Sequence, residues 1–145
     1  MKRNSLFKLV AVVVAVIAIY IAFDITRSAS EYNRGTTHLA EGQYDQAIDC
    51  FSKAIKRQEQ FPEAYCNRGT AYYETHRYDE AIRDFDRAIE LRPEFSEAYY
   101  NRAMVYYYKK QYDSALNDFK KAQSLGHYVA PDVLEALRGN SGGDL

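Results

Sequence analysis

Between Glu97 and Ala122 the chain places six tyrosines in 26 residues, out of 14 in all, with no tryptophan. A tyrosine offers a π face on which bases stack, a phenol that moves protons, or broad contact area for another protein. The first use needs a concentrated basic surface, and the charge is wrong for it. Formal net charge is −1, divided as +3 over residues 1–27 (Lys2, Arg3, Lys8 and Arg27 against Asp24) and −4 over the remainder. An acidic body gives no footprint for a phosphate backbone, so no nucleic-acid partner is expected. Catalysis finds no constellation either. His38, His76 and His127 fall at unrelated levels without ligand spacing, and there is no phosphate-binding glycine loop or nucleophile elbow. Asp79-Glu80 and Asp84/Asp86 read as solvated helix charges. The expectation is a chain that is no enzyme, with no catalytic residue, metal site, cofactor or small-molecule substrate. Cys50 and Cys66 are too few for a disulfide framework and read as two unpaired thiols.

Elements must position the tyrosines, and the first of these is apolar. Leu9 to Phe23 is an uninterrupted apolar run behind a basic flank. Counted from Leu6 to Ile25, residues 6–25 form a helix of about 30 Å, the thickness of a hydrocarbon core, if Lys8 snorkels. The reading is a single-span membrane anchor. The alternative is a cleaved signal, with Ser28-Ala29-Ser30 as small residues for a peptidase, which would leave a secreted or periplasmic soluble protein. The basic excess ahead of the run keeps the N-terminus cytoplasmic and sends the body to the other side.

From residue 29 the chain repeats every 34 residues. Asn33-Arg34-Gly35, Asn67-Arg68-Gly69 and Asn101-Arg102-Ala103 share one register, as do Tyr44, Tyr78 and Tyr112, and Phe51, Phe85 and Phe119. Such a period signals stacked supersecondary units. Within a unit, two apolar patterns of helical spacing flank a break at Gly42-Gln43, His76-Arg77 or Lys110-Gln111. Arg92-Pro93 stops a helix, and Pro62 can open one. The pattern around Tyr65, Gly69, Tyr72, Ala81, Phe85, Ala88 and Pro93 resembles the tetratricopeptide repeat (TPR) family. The resemblance implies an all-α fold: an α-solenoid of three helix–turn–helix units (29–61, 62–95, 96–127) behind a hydrophobic segment (1–28). A capping helix (128–138) and a flexible tail (139–145) follow, with Val133, Leu134 and Leu137 covering the last repeat. Asp24 to Ser28 separates the anchor from the first repeat, and Glu31, where the family usually has an aromatic, loosens that repeat's first helix.

The resemblance also divides the tyrosines. Tyr65, Tyr72, Tyr99 and Tyr106, with Tyr44, Tyr78 and Tyr112, fall at core positions. In TPR domains the first helices of the units line a concave groove. The residues expected to face it are Tyr32, Asn33, Thr36 and Leu39, then Cys66, Asn67, Thr70, Tyr73 and Glu74, then Tyr100, Asn101, Met104, Tyr107 and Tyr108. Tyrosine supplies contact area with little rotamer entropy to lose, and asparagine offers a donor and an acceptor to an extended backbone. The partner is therefore expected to be a protein or peptide segment. Some TPR domains clamp the C-terminal carboxylate of chaperones with Lys, Asn, Asn, Lys and Arg. The matching positions here are Tyr32, Thr36, Asn67, Glu97 and Asn101, so only Asn67 fits and Glu97 repels a carboxylate. Arg34, Arg68 and Arg102 are expected to bridge to the second helix, at Asp84 and Asp118, although the first repeat has Cys50 there. The rival to a groove-binding adaptor is an architectural subunit whose flanks or ends pack into a larger membrane-associated complex.

Overall fold

A computed structural model describes the backbone of residues 2–141 and the side chains of residues 7–139. Seven helices follow one another among these residues: α1 (Lys2–Ala40), α2 (Tyr44–Arg57), α3 (Pro62–Glu74), α4 (Tyr78–Leu91), α5 (Ser96–Tyr108), α6 (Tyr112–Ser124) and α7 (Pro131–Ser141). Each packs on the next, and α1, α3 and α5 also touch in turn, so the first helices of the units form one inner layer.

The repeat is built around a phenylalanine. Phe51, Phe85 and Phe119 lie on α2, α4 and α6 and are fully buried, with Ala47/Ala54, Ala81/Ala88 and Ala115/Ala122 one turn either side at 0% exposure. Alanine lets the paired helices approach, and the ring fills the gap. The approach is closest at Gly35 and Gly69, where a Cβ would stand 2.6 Å and 2.8 Å from the Phe51 and Phe85 rings. Ala103 takes that position in the third unit.

The break inside each unit is a left-handed residue. Gly42 (φ 73°), His76 (φ 58°) and Lys110 (φ 59°) end the first helices. The following amide of Gln43, Arg77 or Gln111 reaches back to His38, Tyr72 or Tyr106 O at 2.8–2.9 Å, closing a Schellman-type cap.

Two features mark the ends of the stack. Nothing interrupts α1 at Asp24–Ser28: one helix of 39 residues, about 58 Å, carries both the apolar run and the first helix of the first unit. No Pro or Gly stands in that stretch to stop it, and contacts to α2 hold it in place. Ser28 is fully buried with its Oγ donating to Ala54 O at 3.0 Å, and Arg57 pairs with Asp24 at 2.9 Å. At the other end α7 caps the third unit through Leu134 and Leu137, while Val133 is 37% exposed and turns toward the concave side. α7 runs to Ser141, and the rest of the expected tail, residues 142–145, lies outside the described residues.

From Phe7 onward α1 contains a stretch apolar and long enough to cross a membrane, none of it buried in the protein.

Candidate functional site

The arginine series organises the stack. Arg68 grips Asp84 with two bonds of 2.7 and 2.8 Å, and Arg102 grips Asp118 with the same pair of distances. The third arm of each reaches the preceding unit, to Ser52 at 2.9 Å for Arg68 and to Asp86 for Arg102. Each arginine thus ties its own second helix to the one before, with tyrosines at positions 65 and 72, or 99 and 106, beside the guanidinium. Arg34 has no preceding unit and no Asp opposite, so it stays exposed and bonds Glu31 one turn away at 3.2 Å. The expected Arg–Asp bridges are present where both partners exist.

The asparagines serve the same joint. Asn67 Nδ2 donates to the Tyr32 hydroxyl at 3.0 Å, and Asn101 Nδ2 donates to Thr70 Oγ1 at 3.4 Å beside the Cys66 sulfur. Both amides link one first helix to the next. Asn33, at the same register, has no unit before it and is exposed. Cys66 does not face the groove as expected. It is 1% exposed, its thiol is pushed up to about 12 by burial, and Cys50 is buried and likewise a free thiol.

The expected groove residues then separate into packing and surface. Tyr32 lies 4.8 Å from Phe61 and 5.8 Å from Phe51, ring to ring, and burial raises its phenol despite the bond from Asn67. Leu39 packs on the first unit's core, and Thr36 bonds its own helix through Asn33 O. Tyr100 lies tilted against His127 with ring centroids 4.4 Å apart and meets Phe119 edge-on at 5.3 Å.

Two cavities open along the inner layer. The first, about 210 Å³, lies between α3 and α5, walled by Thr70, Tyr73, Glu74, Tyr100, Asn101 and Met104 and floored by Phe85. The second, about 320 Å³, lies between α5 and α7, lined by Met104, Tyr107, Phe119, Asp132, Val133 and Ala136. Met104 belongs to both walls and joins them into one trough. Beside it runs a ladder of rings: Tyr73 to Tyr108 at 5.6 Å, Tyr78 stacked on Tyr108 at 6.3 Å, Tyr107 against Tyr108 and Tyr112 at 5.9 Å each. Tyr107 is 44% and Tyr108 53% exposed. The Tyr73 phenol is raised by burial first and by the Tyr108 hydroxyl next to it, so it stays a neutral donor.

Tyr78 and Tyr112, read from sequence as core, are the half-buried feet of this ladder. The α7 wall was not legible, because nothing in the repeat register says which face of a cap turns inward. The charged groups that line the trough are acidic, Glu74 in the first cavity and Asp132 in the second. Outside both cavities Glu63 and Glu97 act on Tyr32 and Cys66, and Glu63 is paired with Arg92. Among the described residues no three His, Cys, Asp or Glu side chains gather where they could hold a metal ion.

A family model described as a tetratricopeptide repeat matches residues 62–95 and 96–127, and one described as a TPR repeat matches residues 35–76. No curated protein matches the chain. Among solved structures, the second TPR domain of the human RPAP3 protein in complex with the HSP70 peptide SGPTIEEVD is 27% identical, with a TM-score of 0.73 over 79% of this chain and 98% of that one. The second TPR of Spaghetti (RPAP3) bound to the HSP90 peptide SRMEEVD is 29% identical, with a TM-score of 0.67 over 68% and 92%. The Arabidopsis OM64 TPR domain, at 24% identity, shares the fold with a TM-score of 0.77 over 80% and 98%.

Proposed function

The chain belongs to the tetratricopeptide repeat family, and from that membership we propose that it is a membrane-tethered interaction adaptor whose concave trough takes a peptide segment of another protein. The observation that carries this reading is the trough itself: two joined cavities beside a row of half-exposed tyrosine rings on adjacent first helices. Rigid aromatic walls of this kind give contact area at small entropic cost, and the neutral phenols and the Asn101 and Thr70 side chains supply a polar edge. Peptide-bound TPR domains of 27% and 29% identity support a peptide as the class of ligand.

The chemistry of the segment differs from those peptides. Both of those peptides end in Glu-Glu-Val-Asp. The trough here carries Glu74 and Asp132 and, among the described residues, is lined by no Lys or Arg, so like charge opposes an acidic tail. A neutral or basic internal segment that seats an apolar side chain against Met104, Phe119 and Val133 suits it better. α1 tethers the repeats to a bilayer through residues 6–25, with the N-terminus in the cytoplasm and the repeats on the other side.

The test compares peptide binding by the full chain in nanodiscs. Fluorescent segments with basic or neutral flanks around an aromatic anchor are expected to bind, and Tyr107→Ala to weaken them by about 10-fold or more, as loss of a packed aromatic anchor does. Preference for Glu-Glu-Val-Asp tails, or indifference to Tyr107→Ala, would overturn the reading.

A further inference from the structure

Because α1 is unbroken from the apolar run into the first unit, the position of α2 relative to a bilayer follows from α1 alone. The two helices are antiparallel: Ser28 meets Ala54, and one turn nearer the N-terminus Asp24 meets Arg57. The last turn of α2 therefore points back toward the apolar run. If residues 6–25 fill the hydrocarbon core, the four residues from Asp24 to Ser28 rise about 6 Å, which matches the roughly 5–7 Å of one headgroup layer. The end of α2 sits at headgroup depth.

The side chains there are cationic. A cleft of about 410 Å³ between the two helices is lined by Tyr20, Asp24, Glu31, Lys53, Lys56 and Arg57. Asp24 is engaged by Arg57 at 2.9 Å, and Lys53 by Asp49 at 2.5 Å. Lys56 is exposed and has no carboxylate partner among the described residues. Arg27, one turn beyond Asp24 on α1, is exposed too, its guanidinium 5.4 Å above the Phe23 ring, an arrangement that suits a cation lodged at a membrane interface. Glu31 lies more than a turn further out along α1.

We propose that this cleft, where α1 leaves the bilayer, holds the headgroup of an anionic phospholipid, with Lys56 neutralising the phosphate and Tyr20 against its upper acyl chain. The inference rests on the membrane-anchor reading and is independent of the peptide trough. It gives α2 a second task. The helix that packs the first unit also fixes the solenoid's rotation about the anchor, by matching its last turn to negative lipid. Each basic group near such a surface strengthens the interaction about 5-fold.

The chain has no tryptophan, so Tyr20→Trp introduces a single reporter inside the cleft. The full chain carrying it is reconstituted into bilayers in which either phosphatidylglycerol or phosphatidylcholine bears brominated acyl chains. Quenching by the two lipids gives their relative occupancy. Phosphatidylglycerol is expected to be preferred, Lys56→Gln to reduce that preference about 5-fold, and Lys56→Arg to preserve it. Equal quenching by both lipids in the unmodified cleft overturns the lipid site and leaves the anchor standing. No quenching by either lipid overturns the anchor and the site with it. Loss of the preference on adding inorganic phosphate reassigns the cleft to a soluble anion, which also overturns the proposal.

Discussion

Replacing the three register-equivalent arginines one at a time gives a comparison with its control built in. Arg68→Ala removes two charge-assisted bonds to Asp84 and one to Ser52, and leaves the 6% exposed Asp84 carboxylate without its partner. Breaking a fully buried pair from one side costs about 3–5 kcal/mol, and the 18% exposure of the Arg68 side chain admits enough water to lower this to about 2–4 kcal/mol. Arg102→Ala has the same bidentate partner in Asp118, with Asp86 in place of Ser52, and should cost as much. Arg34 is 60% exposed and bonds only Glu31 on its own helix, so Arg34→Ala should stay within about 0.5 kcal/mol of the parent. At roughly 4–8 °C per kcal/mol for a domain of this size, the first two variants melt at least about 8 °C lower and the third nearly unchanged. Thermal unfolding of the full chain in mild detergent, followed by far-UV circular dichroism, reads the difference. Equal losses for all three arginines would refute the assignment of this stability to the Asp84 and Asp118 bridges.

Gly69→Ala sets a helix-propensity gain of about 1 kcal/mol against overpacking of roughly 1–3 kcal/mol, since the new Cβ would lie 2.8 Å from the Phe85 ring. Its melting temperature should fall or stay level, and a clear rise would contradict the packing. Lys110→Gly should stabilise the chain by about 1 kcal/mol in the same melts, because a left-handed φ of 59° strains a side chain and not a glycine. For Cys66, a thiol raised from 9.0 to about 12 holds about 1,000-fold less thiolate at pH 8 than a free one. Raised folded pKa means the protonated form dominates at any pH below it, so N-ethylmaleimide should modify Cys66 only on unfolding. Rapid native labelling, resolved by peptide mass, would show that the joint between the first two units opens.

The solenoid was legible because the 34-residue register repeats the residues that build its core: Phe51, Phe85 and Phe119, and the alanines around them. The Arg–Asp bridges could be read for the same reason, since both partners recur at fixed positions on helices that must face one another. The asparagine row does not behave as one surface: Asn33 is exposed and Asn101 lines the first cavity. Its repetition is real, but Asn67 and Asn101 point across the joint, to Tyr32 and Thr70, and that depends on how one unit rotates against the next. A period does not contain that angle. Cys66 was misplaced on the same ground. Asp24–Ser28 separates the apolar run from the first repeat in composition, yet it stays helical because no Pro or Gly stands there. Val133 was assigned to the cap's buried side because three apolar residues in one short helix exceed what a single contact stripe covers, and the trough takes the surplus.

The most direct test of the adaptor reading is photo-crosslinking in the cell, with a probe at Tyr107 in the trough and another at Arg83, exposed on α4. A discrete protein adduct from Tyr107, absent from Arg83 and suppressed by Met104→Glu, is the predicted result. Adducts from Arg83 with none from Tyr107 would contradict the groove and leave a subunit that joins its complex through the outer helices.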